Sequence, residues 1–102
     1  MCSKFTLGAD VWPGLVKVQE EASEVVTAAA KVISHVKGPE ATEKRGHLED
    51  EMGDLIAALD ALMVLNPRLD MDRIHERAAA KTRVYLDRHE KRQAKRNGKV
   101  TA

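Results

Sequence analysis

Two pairs of carboxylates have the spacing and the surroundings of cation ligands. Glu21 and Glu24 are three residues apart, as are Glu51 and Asp54, so each pair shares one face of a helix. Those two faces also carry the apolar residues Val18, Val25, Ala28, Val32, Leu48, Leu55, Ala58 and Leu62. Burying an ionised carboxylate costs several kcal/mol unless a cation or a donor compensates it. We therefore expect a positive partner beside both pairs.

The two acidic segments also resemble each other at a constant offset of thirty residues, with residues 20–29 matching residues 50–59 in character. Gly38-Pro39 lies almost midway between them. If the chain reverses there, the two helices form an antiparallel hairpin and all four carboxylates arrive at one level. Like charges at that separation raise one another's pKa unless a divalent metal neutralises them.

Acid pairs at this spacing are also common on solvated helices, where they pair with neighbouring bases. A second pair on an apolar face, equidistant from the same turn, favours a metal site instead. Ligands that are all oxygens indicate a hard ion, Mg²⁺ or Mn²⁺. A di-iron site is disfavoured because no glutamate is followed by histidine three residues later, and the four histidines lack zinc-site spacing. His47, one turn before Glu51, fits a half-exposed polar residue better than a ligand.

Composition predicts one all-α domain. The chain has 102 residues, is 43% hydrophobic but only 3% aromatic, and shows no strand pattern, which suits closely packed helices. Because so short a chain encloses little apolar surface, we expect an oligomeric helical bundle, a homodimer or homotetramer. A net charge of +1, a single cysteine and the lack of a long apolar run predict a cytoplasmic protein without a membrane partner.

Proline positions delimit the expected helices. Prolines stand at positions 13, 39 and 67. We expect an irregular leader over residues 1–12 and a first helix from Pro13, which suits a first helical turn, to Val36 or Lys37. Gly38, followed by proline, closes that helix.

A second and a third helix follow the turn. The second is firm over residues 47–65, while residues 40–44 fit either helix or loop, and Asn66-Pro67 ends it. Asp70 is the expected N-cap of the third helix. We place the helical domain at residues 13–92 and a basic, disordered tail at residues 93–102.

The acidic motifs resemble those of a known family. Glu20-Glu21-Ala22-Ser23-Glu24, followed by Glu51-Met52-Gly53-Asp54, is similar to the E-E-x-x-E and E-x-x-D signature of the MazG-like, all-α nucleoside triphosphate pyrophosphohydrolases. The likeness covers roughly residues 15 to 90. It implies a dimeric or tetrameric helical enzyme that uses Mg²⁺ to cleave a nucleotide between its α and β phosphates.

The resemblance also implies roles for single residues. The metal ligands would be Glu21, Glu24, Glu51 and Asp54, with Glu24 and Glu51 as the catalytic carboxylates and Glu24 accepting a proton from water. The expected phosphate-binding side chains are Lys31, Lys81, Tyr85 and Arg88. Tyr85 stands where family members often carry asparagine, so its contact with sugar or base is in doubt. A solvated face is an equal alternative for these cations.

Three functions remain open at this point. The leading one is hydrolysis of a (deoxy)nucleoside triphosphate to monophosphate and pyrophosphate. A phosphoribosyl-ATP pyrophosphatase shares the acidic signature and a similar length. The third is a non-enzymatic helical oligomer whose basic C-terminal run binds RNA or an acidic partner. We do not expect nucleic acid as a partner, because no aromatics interleave with that run and no recognition motif is present.

Overall fold

The computed structural model describes residues 12–101, and their side chains as far as residue 98. This part of the chain consists of three α-helices and has no strand. They are α1 (Leu15–Ser34), α2 (Ala41–Leu65) and α3 (Met71–Thr101). The predicted all-α class and the number of helices are confirmed. The predicted leader lies outside the described residues except for Trp12.

Helix α1 ends earlier than the sequence predicted, at Ser34 instead of Val36 or Lys37. His35 leaves the helical region, with φ −126° and ψ 51°, and its N–H donates to the carbonyl oxygen of Lys31 at 3.0 Å. Gly38 has φ 101° and precedes proline, which disfavours helical geometry before it. Residues 35–40 therefore form the connection in which the chain reverses its direction.

Helix α2 resolves the open question about residues 40–44, because it begins at Ala41 and includes Gly46. It ends at Leu65, with Asn66 as its C-terminal cap, as Asn66-Pro67 predicted. The end of α2 returns to the start of α1, since a methyl group on Gly14 would lie 3.5 Å from the Leu62 Cα. The hairpin is therefore antiparallel, as predicted.

The two helices pack along the faces that carry the acidic pairs. Ala28 and Ala58, one from each helix, are buried, and the other apolar residues predicted for those faces are half-buried. Small side chains at the centre let the two backbones approach closely. No large side chain among the described residues is fully buried. The carboxylates therefore lie at the margin of a thin core.

Asn66 closes the open end of the hairpin. Its side chain is buried, and its Nδ2 donates to the carbonyl oxygens of Pro13 at 2.8 Å and Leu62 at 2.7 Å. One amide thereby joins the residues before α1 to the last turn of α2. Nearby, the Arg68 guanidinium lies 4.6 Å from the centre of the Trp12 ring, a cation–π contact at the same end.

Helix α3 lies in a separate compact unit that begins at Asp70. Asp70 caps it as predicted, because its Oδ1 accepts the Arg73 N–H at 3.0 Å. The helix continues to Thr101, so the predicted end near Arg92 is too early. Residues 93–96 are Gln, Ala, Lys and Arg, all good helix formers, and no proline interrupts them. Across the described residues, no helix is long and apolar enough to cross a membrane.

Asn66→Asp should destabilise the protein by about 1–3 kcal/mol near neutral pH, because a carboxylate oxygen would face two carbonyl oxygens where an N–H₂ now donates. Urea unfolding measures the change. Gln93→Glu, the same exchange at an exposed position, is the matched control and should stay within about 0.5 kcal/mol. Equal losses in the two variants would show that Asn66 does not hold the hairpin ends together.

Candidate metal centre and substrate site

Three of the four predicted metal ligands converge in the hairpin. Glu21 comes from α1, and Glu51 and Asp54 come from α2. One carboxylate oxygen of each lies within 4.8 Å of the other two. The Glu21 side chain is 12% exposed and that of Glu51 is 13% exposed, while Asp54 is open to solvent. This arrangement offers three hard oxygen ligands with one open side, which suits a divalent cation.

Glu24, the fourth predicted ligand, is exposed and does not belong to this three-residue cluster. Its negative charge nevertheless contributes to raising the pKa of Glu51, so the two carboxylates are within electrostatic range. The structure therefore brings all four predicted acids to one region, with three in position to share an ion and Glu24 beside them.

Electrostatic strain is concentrated at Glu51. Removal from water raises the pKa of its carboxyl group, and the negative charges of Glu24, Asp54 and Glu21 raise it further. His47 acts in the opposite direction, with its Nε2 3.7 Å from Glu51 Oε1. The imidazole does not offset burial and the surrounding acids together, since the pKa of Glu51 is still raised. A divalent cation would remove this repulsion, and the cluster could hold a metal ion.

Lys17 is a site residue that sequence reasoning missed. Its Nζ lies 3.2 Å from Glu21 Oε1 and 3.3 Å from Glu20 Oε2, and these two acids raise the pKa of Lys17. The signal was available, because Lys17 precedes both acids by one helical turn. In this arrangement the ammonium group competes with a metal ion for Glu21. Lys17, Glu21 and Asp54 also line an open groove of 410 Å³. Its other lining residues are Ala57, Ala58 and Ala61.

A second groove lies beside the cluster, toward the Gly38 turn. Its volume is 440 Å³, and it is lined by Lys31, Glu43, Lys44, Gly46, His47 and Asp50. His47 joins this groove to Glu51. The predicted phosphate-binding residue Lys31 therefore faces a cavity next to the carboxylates. Lys44 was not predicted, because the sequence left the start of α2 undecided and so left the direction of that side chain undecided too.

The remaining predicted substrate residues, Lys81, Tyr85 and Arg88, share one face of α3 in the second compact unit. Lys81 is half-buried, whereas Tyr85 and Arg88 are exposed. Their common face agrees with the spacing from which they were selected. Their roles toward a substrate stay predictions.

Comparisons of the chain with models of protein families, with characterised proteins and with solved structures found no match.

Glu51→Gln should raise the melting temperature of the metal-free protein near neutral pH. A raised pKa means that the folded state holds the Glu51 proton more tightly than the unfolded state does. Ionisation therefore costs stability as pH rises through the unfolded and then the folded pKa, and glutamine removes that cost. The gain should shrink on acidification from about pH 7 to pH 4, where glutamate becomes protonated in both states.

Glu49→Gln is the control, because Glu49 is exposed and lies outside the cluster. Scanning calorimetry across this pH range, with chelator present, compares the two variants. A Glu51→Gln protein that melts below the natural protein near neutral pH would contradict the electrostatic description of the cluster.

Proposed function

We propose that this protein is a Mg²⁺-dependent nucleotide pyrophosphohydrolase of the MazG-like kind, which cleaves a (deoxy)nucleoside triphosphate between its α and β phosphates. The observation that carries the proposal is the convergence of Glu21, Glu51 and Asp54 from two helices onto one point. These are residues of the two acidic motifs on which the family resemblance rests. The side chains of Glu21 and Glu51 are also mostly shielded from solvent, unlike acids on a solvated helix face.

The reaction needs the substrate's negative charge to be reduced and a water molecule to be activated. Bound Mg²⁺ supplies both effects, because it neutralises phosphate oxygens and lowers the pKa of water. Glu21, Glu51 and Asp54 would hold it. Glu24, exposed at the edge of the cluster, is then free to accept the proton of the attacking water. Attack on phosphorus breaks the phosphoanhydride bond, and the products are a nucleoside monophosphate and pyrophosphate.

The groove beside His47 is the proposed binding site for the phosphate chain of the substrate. It carries the cations Lys31 and Lys44 within one cavity, next to the metal cluster. Lysine is a compact cation that binds phosphate without a fixed geometry, which suits a pyrophosphate leaving group. We therefore place the outgoing phosphates in this groove.

The acidic residues Glu43 and Asp50 line the same groove and limit what it accepts. They would repel a phosphate chain that lacked a metal ion, since like charges in a narrow groove cost free energy. The positive charges of the two lysines and the negative charges of the two acids nearly cancel. We infer that this groove accepts the nucleotide as its magnesium complex.

A substrate panel tests the proposed activity. The protein is incubated with Mg²⁺ and each of the common ribonucleoside and deoxyribonucleoside triphosphates, and with phosphoribosyl-ATP, and the products are separated by ion-exchange chromatography. We expect equal amounts of monophosphate and pyrophosphate from at least one triphosphate. Release of orthophosphate and a diphosphate would contradict cleavage at the α–β bond. Turnover of phosphoribosyl-ATP alone would support the alternative enzyme.

Variants connect that activity to the cluster. Glu51→Gln and Asp54→Asn should each lower kcat/KM by about 10²-fold or more, because metal ligands and their charges act on the transition state. Glu49→Gln, with an exposed carboxylate outside the cluster, should keep the natural activity. A protein truncated after residue 92 should also stay active. An active Glu51→Gln enzyme would remove the cluster from the mechanism.

We also propose that the protein assembles as a homodimer or homotetramer. Val26, Ile33, Ile56 and Val64 on the hairpin are each more than half exposed in the isolated chain. A hairpin in which only Ala28 and Ala58 are buried apolar residues encloses little surface of its own. Covering these side chains with a second hairpin would enlarge the core.

Light scattering at micromolar concentration should therefore give a mass two or four times that of the chain. Ile33→Glu should shift the protein toward smaller species, because it places a charge in the proposed contact. Thr27→Glu, at an exposed polar position of the same helix, is the control and should leave the mass unchanged. A monomeric natural protein would contradict the proposed assembly.

A further inference from the structure

Helix α3 collects most of its bases on one face. When its residues are placed at about 100° intervals, nearly all its bases fall within an arc of about 140°. The bases on this face are Arg73, Arg77, Lys81, Arg88, Lys91, Arg92, Lys95 and Arg96. The acids Asp72, Glu76, Asp87 and Glu90 lie outside this arc, with Asp87 about 40° from its edge. We call the first set the basic face, and all its members except Lys81 are exposed.

The spacing within the basic face is unfavourable for an isolated helix. Arg88 and Arg92, Lys91 and Lys95, and Arg92 and Arg96 are like-charged pairs at i and i+4. Such pairs destabilise a helix, whereas acids placed one turn before bases would stabilise it. Here just one acid of α3, Asp87, stands one turn before a base of the basic face, Lys91. The pattern is therefore explained better by an external polyanion than by the solubility of the helix alone.

The second half of the helix limits which polyanion fits. Between residues 87 and 98 the only apolar side chain is Ala94, so this stretch has no face to insert into a lipid surface. It also offers no aromatic or large apolar anchor for a protein partner. The same stretch has no Phe, Tyr or Trp on which the bases of a single strand could stack in succession. The remaining candidate is a polyanion whose phosphates form a regular, rigid array.

We propose that residues 88–98 of α3 bind the phosphate backbone of duplex DNA, with the helix lying in the major groove. A helix about 10–12 Å wide enters a groove about 12 Å wide. Lys91 and Arg96 stand at the two edges of the basic face, with Arg92 between them, so the helix presents cations to both walls. The absence of base-stacking aromatics, which argued against nucleic acid in general, does not argue against this mode.

This binding should be independent of base sequence. Gln93 and Asn97, which suit paired hydrogen bonds to adenine, lie away from the basic face. The cations of that face neutralise phosphates whatever the base sequence, and Arg88, Arg92 and Arg96 can add contacts to guanine but are not needed for binding. The proposal concerns α3 alone and does not depend on the proposed hydrolase activity.

Fluorescence anisotropy with a labelled mixed-sequence duplex of about two helical turns tests the proposal, using the full chain. Replacing Arg92, Lys95 and Arg96 with Gln should weaken binding at least about tenfold at about 50 mM salt. It should also reduce the slope of log K against log salt by about 2.7, because three phosphate contacts are lost. Glutamine is a good helix former, and circular dichroism checks that α3 persists.

Two further variants separate position from charge. Lys37→Gln, Arg45→Gln and Arg83→Gln together remove the same charge from exposed positions off the basic face and should change affinity less than about twofold. Arg92→Lys with Arg96→Lys keeps the charge and should bind like the natural protein. Equal weakening by the two neutral triple variants would overturn the proposal, because it would show a general effect of net charge.

Competing ligands complete the test. An RNA duplex should bind more weakly than DNA, because its major groove is too deep and narrow for a helix. Single-stranded DNA and vesicles containing phosphatidylserine should also bind more weakly. Preference for any of these three over duplex DNA, or no binding of the duplex at about 50 mM salt, would contradict the proposal.

Discussion

The antiparallel contact between α1 and α2 is the constraint on which the candidate site depends. Glu21 lies on one helix and Glu51 and Asp54 on the other, so only this contact brings their oxygens within 4.8 Å. The same contact places negative charges where they repel one another and where Glu51 is partly removed from water. The packing of the two helices therefore brings together carboxylates that repel one another. A bound cation would attract all of them and so offset that repulsion.

Two basic side chains lie beside the cluster. Lys17 Nζ is 3.2 Å from Glu21 Oε1, and His47 Nε2 is 3.7 Å from Glu51 Oε1. The pKa of Glu51 is raised in spite of His47. Ala28 and Ala58 let the helices approach but contribute little apolar area. The small apolar core of this hairpin contributes little free energy to offset the repulsion between its acids. A partner subunit and a metal ion would therefore both stabilise it.

Charge is distributed differently in the two compact units. In the hairpin, opposite charges meet: Lys17 contacts two acids, and two lysines share a groove with Glu43 and Asp50. In α3, most of the bases share one face and the acids lie outside it. The two proposals assign a metal-bound nucleotide to the first pattern and an extended polyanion to the second.

Local sequence patterns alone determined the three helices, the reversal at Gly38-Pro39, the cap at Asp70 and the face on which each acid lies, because these depend on near neighbours along the chain. The end of α1 depended on the geometry of the turn that follows it. The length of α3 was underestimated although residues 93–96 are good helix formers. Only the packed hairpin decided that Glu51 is the strained carboxylate, that Glu24 lies at the edge, and that Lys44 shares a groove with Lys31. Those properties depend on distance and solvent exclusion between residues far apart in sequence, and a one-dimensional pattern contains neither.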